Sequence, residues 1–172
     1  MDLNEKFMKE ALRTARDAGR RGEVPVGAAL VLEGRVLARA GNATLARRDP
    51  TAHAEVVALR RGARRLGNHR LTGATLYVTL EPCLMCLGAM VQARIHRCVF
   101  GARDPKVRAS SLFRLPRLRR GLNHRFEIAG GVLEKGCAGL LQSFFKERRK
   151  GRREAGGTAL TRPRGPRRLR AS

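Results

Sequence analysis

The sequence predicts an α/β domain in which a mixed sheet of five strands is covered by helices. Apolar residues at helical spacing alternate along the chain with short runs typical of strands, in the order α-ββ-α-β-α-β-α-β-α. The chain has 172 residues, of which 42% are hydrophobic, and this suffices for one domain with a buried core. No apolar run approaches the roughly 18 residues that a membrane-spanning helix needs.

The first half of the chain predicts a helix, a β-hairpin and a second helix. Apolar side chains recur on one helical face over residues 3–18. Residues 27–41 form two short apolar runs about Glu33-Gly34, where the glycine favours a hairpin turn. Residues 49–66 predict the second helix, with Thr51 as its N-cap.

The middle of the chain predicts a strand, a helix and another strand. Residues 73–80 are rich in β-branched and aromatic side chains, which favours a strand. A helix is predicted over residues 83–94, with Pro82 in its first turn, where the missing N–H costs little. Residues 97–100 predict the next strand.

The last third of the chain predicts the fifth strand and a closing helix. Residues 101–121 are basic and contain two prolines, so we expect a loop with a short helix. A strand over 125–131 and an amphipathic helix over 132–150 follow. The Gly/Pro/Arg-rich end has few large apolar side chains, so we predict a folded domain over 1–149 and a disordered basic tail over 150–172.

Positive charge is the strongest global feature of the sequence. The chain has 37 Lys and Arg against 14 Asp and Glu, a formal net charge of +23. Residues 1–149 alone carry +16, so the tail does not account for the excess. This charge favours a polyanionic partner such as nucleic acid. Codon bias would also produce such an excess, since 31 of the 37 basic residues are arginine.

The cysteines indicate chemistry in a reducing compartment. The N-terminus has no apolar signal-peptide centre, so we expect a cytoplasmic location, where paired cysteines are metal ligands or redox catalysts more often than disulfides. Cys83 and Cys86 lie three positions apart in "TLEPCLMC" and allow a redox pair, half of a metal site or two core residues. Cys98 and Cys137 are predicted to be core residues.

A metal site needs a third ligand, and "HAE" at the start of the preceding helix supplies one. His53, Cys83 and Cys86 can face each other across two strand-to-helix turns and bind a tetrahedral zinc whose fourth position stays open to water. Such a zinc makes hydroxide available near neutral pH. Glu55 can carry protons between water and a leaving amino group, or it can be a solvated first-turn carboxylate. The remaining histidines are predicted to be surface or core residues: His69, His96 and His124.

The residues also carry a family resemblance. "HAE" followed by "PCLMC" is the H-x-E…P-C-x-x-C signature of zinc nucleobase deaminases. The surrounding sequence resembles the bacterial tRNA-specific adenosine deaminases from about residue 3 to residue 149. The phrases that carry this likeness are "EVPVGAALV" (23–31), "DPTAHAEVVALR" (49–60), "RLTGATLYVTLEPCLMCLGAMVQARI" (70–95), "VFGARDPK" (99–106) and "GLNHRFEI" (121–128).

The resemblance implies a fold, a reaction and a substrate. Members of the family are zinc-dependent homodimers with a three-layer α/β/α, cytidine deaminase-like fold. Residues 1–149 are then a zinc-dependent deaminase domain with one zinc per subunit. The implied reaction converts the wobble adenosine of a tRNA, at position 34, to inosine by hydroxide attack at C6 with release of ammonia. The implied substrate is an arginine tRNA with an ACG anticodon.

The resemblance also assigns roles to residues at matching positions. Zinc would be bound by His53, Cys83 and Cys86, with Glu55 as the proton carrier. Asn42 would hydrogen-bond the flipped base, although it can also be a turn residue. Other matching positions would line the base pocket, accept a hydrogen bond through a backbone carbonyl, or contact RNA: Val26 and Ala54; Pro82; Asp104, Lys106, Phe144, Phe145 and Arg148.

Two features limit what is carried over. Phe144 and Phe145 are adjacent on a helix and cannot face the same way, so we expect one of them to touch RNA. Residues 107–112 read "VRASSL" where the family carries glycines. Arg108 and Ser111 disfavour a positive φ, so we expect this loop to follow a different path.

Two other functions are compatible with parts of the sequence. A deaminase of free guanine, cytosine or a nucleoside shares the zinc machinery but does not predict the charge of +16 on residues 1–149. A non-catalytic, zinc-dependent RNA-binding protein has no use for a proton carrier at Glu55.

Overall fold

The computed structural model describes residues 2–106, 108–113 and 115–155. Of the predicted tail, residues 156–172 lie outside the described residues. Helices and strands follow each other in the order α1 (Leu3–Arg20), β1 (Gly27–Leu32), β2 (Arg35–Gly41), α2 (Thr44–Arg47), α3 (Ala54–Leu66), β3 (Thr75–Leu80), α4 (Leu84–Ala93), β4 (Arg97–Ala102), α5 (Ala109–Phe113), α6 (Pro116–Arg120), β5 (Glu127–Gly130) and α7 (Glu134–Ala155).

The five strands form one mixed sheet in the order β2-β1-β3-β4-β5. Strand β1 is antiparallel to β2 and to β3, whereas β3, β4 and β5 run parallel. The predicted hairpin is confirmed, because Glu33 and Gly34 both adopt positive φ between β1 and β2. The carboxyl ends of the parallel strands β3 and β4 therefore meet at one edge of the sheet, where Leu80 pairs with Ala102.

Side chains that alternate along β1 divide the core into two layers. Ala28 and Leu30 belong to a cluster with residues of α3 and α4, whereas Ala29 and Val31 belong to a second cluster with residues of α1. The second cluster also contains Tyr77 of β3, which stacks on an aromatic ring of α1. The sheet thus lies between two helical layers, which confirms the predicted three-layer α/β/α fold.

Strand β2 is an edge of the sheet, and two arginines of α3 cover it. Nη1 of Arg61 donates to the carbonyl oxygen of Arg39 at 2.6 Å, and Nη1 of Arg65 donates to that of Leu37 at 3.0 Å. These carbonyls alternate along β2, as outward-facing acceptors of an edge strand do. Unpaired backbone groups of this edge are therefore satisfied within the domain.

Two predicted helix starts are wrong by a few residues. Helix α3 begins at Ala54 with His53 as its N-cap, because Thr51 instead donates both its N–H and its hydroxyl to Oδ1 of Asp49 in a preceding turn. Helix α4 begins at Leu84 with Cys83 as its N-cap, so Pro82 precedes the helix rather than lying in its first turn.

Other differences concern the chain between strands and the closing helix. The short helix α2 was not predicted, since its four residues have no apolar periodicity and are held by a distant carboxylate. The segment 101–121 contains two short helices, α5 and α6, where one was predicted. Helix α7 continues to Ala155, so residues 150–155 of the predicted tail are helical, and the division of the chain into a domain and a tail stays a prediction.

The predictions for the two isolated cysteines and the three isolated histidines are confirmed. Cys98 and Cys137 are buried core residues. His69 and His96 are exposed, and His124 is partly buried with Nε2 at 2.7 Å from the carbonyl oxygen of Ile95. No helix in the described ranges combines the length and the apolar character that crossing a membrane requires.

Candidate functional site

Three side chains from the starts of two neighbouring helices come together at the first layer of the core. His53 is the N-cap of α3, Cys83 is the N-cap of α4, and Cys86 lies one turn further along α4. Spacing of three residues places both thiols on the same side of α4. Because α3 packs against α4, the imidazole of the first helix faces the thiols of the second.

The distances within this group match a tetrahedral zinc site. Nδ1 of His53 lies 3.7 Å from Sγ of Cys83 and 3.5 Å from Sγ of Cys86, and the two sulfurs are 3.6 Å apart. Tetrahedral zinc, with bonds of about 2.3 Å to sulfur and about 2.0 Å to nitrogen, separates two sulfurs by about 3.8 Å and sulfur from nitrogen by about 3.5 Å. A disulfide would need about 2.05 Å between sulfurs. The residues therefore fit zinc, and the cysteines are free thiols.

The pKa values of the two thiols are shifted in opposite directions. Hydrogen bonds from Cys86 and then from His53 lower the pKa of Cys83 to about 4, so Cys83 is a thiolate at neutral pH. The hydrogen bond to that thiolate and burial both raise the pKa of Cys86. The pKa of His53 is raised by its hydrogen bond with Cys83. Binding of a divalent cation would displace the protons that remain on the group, because cysteine binds a metal as thiolate and histidine as neutral imidazole.

Glu55 lies in the first turn of α3, two residues after His53, and is only 4% exposed. Burial raises the pKa of its carboxyl group above the usual range, and the carboxyl interacts with the Cys86 thiol. A solvated first-turn carboxylate, the alternative role for Glu55, is thereby excluded. A buried carboxyl with a raised pKa beside three metal ligands is suited to accept and return a proton.

The predicted base-pocket residues surround the same helix start. The N–H of Asn42 donates to the carbonyl oxygen of Val26 at 2.9 Å, and the N–H of Ala43 donates to that of Ala52 at 3.0 Å. These bonds tie the end of β2 to the segment that leads into His53. Asn42 is 7% exposed and Ala54 is fully buried. Pro82 is also buried, directly before Cys83.

Two residues that were not predicted from the sequence hold the Asn42 side chain. Nδ2 of Asn42 lies 3.5 Å from Oγ1 of Thr44, which donates to Oε2 of Glu23 at 3.2 Å. The other oxygen of Glu23 accepts the N–H of Ala46 at 2.8 Å. Glu23 is 1% exposed, so it is a buried carboxylate that supports both α2 and Asn42. The sequence signal for a buried carboxylate was the acid at the start of the apolar stretch 23–31.

The segment with Asp104 and Lys106 is held by a second buried carboxylate. Oε2 of Glu81 accepts the N–H of Asp104 at 3.1 Å, and Oε1 accepts the N–H of Ser110 at 3.1 Å. Arg108 has a φ of 43°, so its backbone takes the left-handed conformation that favours glycine. The expectation that Arg108 disfavours a positive φ is therefore wrong, and the expected different path of the loop stays a prediction.

A groove of about 590 Å³ brings part of the predicted RNA contacts together. Asp104, Lys106 and Phe145 line it together with Arg103 and Arg149. Its apolar lining comes from strand ends and from α7, at Val24, Leu80, Ala102, Ala138 and Leu141. The groove thus combines an apolar floor, one aromatic ring and a cationic rim.

Phe144 and Arg148 are not among the described residues that line this groove. The guanidinium of Arg148 lies 5.5 Å from the ring centroid of Phe144, and the ring of Phe144 meets that of Phe145 edge to face. Phe145 is 43% exposed and Phe144 is partly buried. The two phenylalanines therefore face different ways, as expected from their adjacent positions.

Comparisons with known proteins agree with this geometry. A family model described as the cytidine and deoxycytidylate deaminase zinc-binding region matches residues 1–102. The chain is 45% identical over 155 residues to the tRNA-specific adenosine deaminase of Bacillus subtilis (strain 168), and the match covers 90% of this chain and 96% of that protein.

Two solved structures resemble the fold. One comes from a study of A-to-I editing by tRNA:A34 deaminases at the wobble position of transfer RNA; it has a TM-score of 0.74 and 47% identity, over 79% of this chain and 99% of that chain. The other is the guanine deaminase from Bacillus subtilis, with a TM-score of 0.55 and 39% identity, over 58% of this chain and 64% of that chain.

Proposed function

The chain belongs to the cytidine and deoxycytidylate deaminase family, as a relative of the tRNA-specific adenosine deaminases, and we propose that it converts adenosine 34 of a tRNA to inosine. The single observation that carries this proposal is the triangle of His53, Cys83 and Cys86 with the buried carboxyl of Glu55 beside it. Water is consumed and ammonia is released, as in any hydrolytic deamination.

Each side chain of the site has a distinct role in this proposal. His53, Cys83 and Cys86 hold one zinc ion per subunit. Zinc, when bound, lowers the pKa of water from about 15.7 toward 7 and so supplies hydroxide at neutral pH. Glu55 takes up a proton at its carboxylate and delivers it to the departing amino group of the base. Burial raises the pKa of this carboxyl above its usual range, which is the direction that suits a group that both accepts and donates a proton.

The base would be recognised by the residues around the start of α3. The Asn42 amide offers a donor and an acceptor for the edge of a flipped base, and the contact with Thr44 orients it. Val26 and Ala54 offer apolar surface, and the carbonyl of Pro82 offers an acceptor next to Cys83. A purine that enters this space is freed from water and held by few polar groups, as small-molecule sites require.

The groove lined by Lys106, Arg149 and Phe145 would receive the neighbouring nucleotides. Its cations suit phosphates, and an exposed aromatic ring suits an unstacked base. We expect an arginine tRNA with an ACG anticodon to be the preferred substrate, because its position 34 is an adenosine. The enzyme would meet that substrate in the cytoplasm.

The main competing function is deamination of a free base or nucleoside. The likeness to a guanine deaminase gives it some support, over a smaller part of the chain than the likeness to the tRNA:A34 deaminase. A free base has no phosphates, so the cationic rim of the groove would have no purpose. A non-catalytic RNA-binding role leaves the buried Glu55 without a purpose.

One experiment tests the proposed function against these competitors. Purified protein with zinc is incubated with an ACG-anticodon tRNA, and inosine is detected as guanosine in the cDNA. We expect conversion at position 34, and no conversion with Glu55→Ala, which keeps its zinc. Ammonia released from guanine or cytosine, with tRNA unchanged, would instead establish the competing deaminase.

We propose that the enzyme is a homodimer that uses apolar side chains exposed on α4, α5 and α6. Helices α4 and α5 pack together, as do α5 and α6, and large apolar residues on or between them remain exposed: Leu84, Met85, Leu112, Leu115 and Leu118. Leu112→Glu should convert a dimer to a monomer in light scattering, whereas Leu3→Glu, on the exposed start of α1, should not. A wild-type monomer at micromolar concentration would contradict the proposal.

A further inference from the structure

We propose that Glu81 is a positioning residue for tRNA and that it fixes the Asp104 loop to the strand end that leads to Cys83 and Cys86. The Asp104 loop is defined here as residues 103–106 and 108–110. This inference rests on the proposed function, because the loop carries Asp104 and Lys106 at the rim of the groove.

Glu81 lies where two parallel strands end side by side. Strand β3 ends at Leu80 and β4 ends at Ala102. The N–H of Glu81 donates to the carbonyl oxygen of Ala102 at 2.8 Å and so extends the ladder between these strands by one bond. Two residues later the chain reaches Cys83. The backbone of Glu81 is therefore fixed directly beside the turn that carries Cys83.

The side chain of Glu81 is directed to the Asp104 loop. One oxygen accepts the N–H of Asp104, and the other accepts both the N–H and the hydroxyl of Ser110. Glu81 is 5% exposed and Ser110 is 3% exposed, so these bonds are shielded from water. One carboxylate thus holds both ends of the loop, and these three bonds account for its burial.

The described residues between Asp104 and Ala109 are open to solvent. Arg103, Pro105, Lys106 and Arg108 are exposed, and the N–H of Lys106 donates to Oδ1 of Asp104 at 2.8 Å within the loop itself. Arg108 is in the left-handed region that favours glycine. An exposed and strained loop keeps one conformation only if its ends are fixed, and Glu81 fixes them.

Glu81 therefore connects the segment that carries Cys83 and Cys86 to the loop that would face the RNA. When Lys106 and its neighbours hold a tRNA, the target adenine then lies at a fixed distance from Cys83. Loss of the anchor should weaken tRNA binding and leave the metal in place, because the carboxylate of Glu81 bonds to the loop rather than to the three ligands in the described structure. A residue that acted in the chemistry would lower kcat instead.

The test compares three variants in steady-state kinetics on tRNA. Glu81→Gln keeps the shape but replaces one acceptor oxygen by an NH₂ group that opposes a loop N–H. We expect its KM for tRNA to rise about tenfold with kcat and zinc content nearly unchanged, which is the pattern of lost binding. Ser110→Ala removes the hydroxyl bond alone and should raise KM about two- to threefold. Glu127→Gln, an exposed carboxyl at the other end of the sheet, is the matched control and should match wild type.

Hydrogen exchange supplies a readout that does not depend on activity. In Glu81→Gln the amides of Asp104 and Ser110 should exchange faster, while the amide of Leu87, which donates to the carbonyl of Cys83, should stay protected. Should Glu81→Gln fail to fold, Ser110→Ala carries the same test with a smaller effect.

The outcomes separate this inference from the proposed function. Wild-type KM together with wild-type exchange at both amides would overturn the role of Glu81 while leaving tRNA editing intact. A lowered kcat with unchanged KM would also overturn it. A wild-type protein that edits no tRNA would overturn the proposed function, and with it the role in tRNA positioning, even if exchange showed that Glu81 fixes the loop.

Discussion

Sγ of Cys86 lies 3.5 Å from Nδ1 of His53, although 33 residues separate them in the chain. The imidazole comes from the N-cap of one helix and the thiol from the first turn of the next. Two helix starts that are distant in the chain thus create a site that neither segment has alone. The burial and the charge of the side chains where the starts of α3 and α4 meet determine what can bind there.

Loss of any one metal ligand should remove zinc and activity together. In His53→Ala or Cys86→Ser we expect zinc affinity to fall by at least about 100-fold, since even indirect ligand partners reach that effect. Elemental analysis of the purified variants and titration with a chromophoric chelator measure this. Cys98→Ala, a buried cysteine outside the group, is the control and should keep one zinc per chain. A Cys86→Ser variant that retained zinc stoichiometrically would contradict the assignment.

Replacement of Glu55 should separate metal binding from turnover. Glu55→Gln preserves size and removes the proton carrier, so we expect kcat to fall by about 10²–10⁴ with zinc content unchanged. Inosine formation under single-turnover conditions measures the chemical step. Glu127→Gln makes the same chemical change at an exposed position and should leave kcat unaltered. Substantial activity in Glu55→Gln would remove this residue from the mechanism.

Glu23 should make the fold sensitive to acid. Burial opposes ionisation of Glu23, but hydrogen bonds from the N–H groups of Ala46 and Leu45 and from Thr44 prevail and lower its pKa. A carboxyl whose pKa is lower in the folded state stabilises the fold at every pH above its pKa in the unfolded chain, which is about 4.3. This stabilisation is lost as the pH falls through the pKa of the folded state.

Urea denaturation at several pH values measures this contribution. Glu23→Gln should lower the free energy of unfolding by about 1–3 kcal/mol at pH 7, because charged hydrogen bonds are lost. The difference from wild type should shrink as pH falls below about 4. A difference that stayed constant from pH 7 to pH 3 would show that Glu23 ionisation does not stabilise the fold.

Arg108 should be a site where glycine stabilises the protein. A left-handed residue with a side chain costs about 1–2 kcal/mol, and glycine loses about 0.5–1 kcal/mol through backbone entropy. We therefore expect Arg108→Gly to raise the free energy of unfolding by about 0.5–1 kcal/mol. Gly67, at the end of α3, has a φ of 67° and open space around it. The reverse change, Gly67→Ala, should therefore lower the free energy of unfolding by a similar amount. Destabilisation by Arg108→Gly would contradict the left-handed conformation in solution.

Binding of tRNA should depend steeply on salt, and Lys106 should account for part of that dependence. Each phosphate neutralised on a single strand contributes roughly −0.7 to the slope of log K against log salt. Lys106→Gln should therefore make the slope less negative by about 0.7. Lys9→Gln, on an exposed turn of α1 outside the groove, is the control and should leave the slope unchanged. A flat salt response of the wild type would contradict a phosphate-binding groove.

The grouping of His53, Cys83 and Cys86 was predictable because metal-binding chemistry leaves a short-range pattern in the sequence. A histidine at one helix start and two cysteines three residues apart at another form a combination that is typical of a metal site. The fold was predictable for a similar reason, since period-2 and period-3.6 patterns alternate clearly. The exact start of α3 was not, because Asp49 accepts both the N–H and the hydroxyl of Thr51 in a turn that precedes the helix.

The supporting carboxylates were not predicted, because their partners are distant in sequence. Glu23 bonds to α2, which has no periodicity of its own, and Glu81 bonds to a loop more than twenty residues away. Only 14 acids occur in this basic chain, and Glu23 and Glu81 each have apolar neighbours in the sequence. That scarcity was a signal, but it did not reveal the partners. Likewise, the helical pattern of α7 did not determine that Phe145 rather than Phe144 lines the groove.

Arg61 and Arg65 occupy the carbonyl oxygens along the outer side of β2. A strand from another molecule would have to displace both guanidinium groups before it could add to the sheet there. Growth of the sheet into ribbons or fibrils is thereby blocked at this side by charge that the domain itself supplies. Two molecules that associate at this side must therefore use contacts other than the addition of a strand to β2.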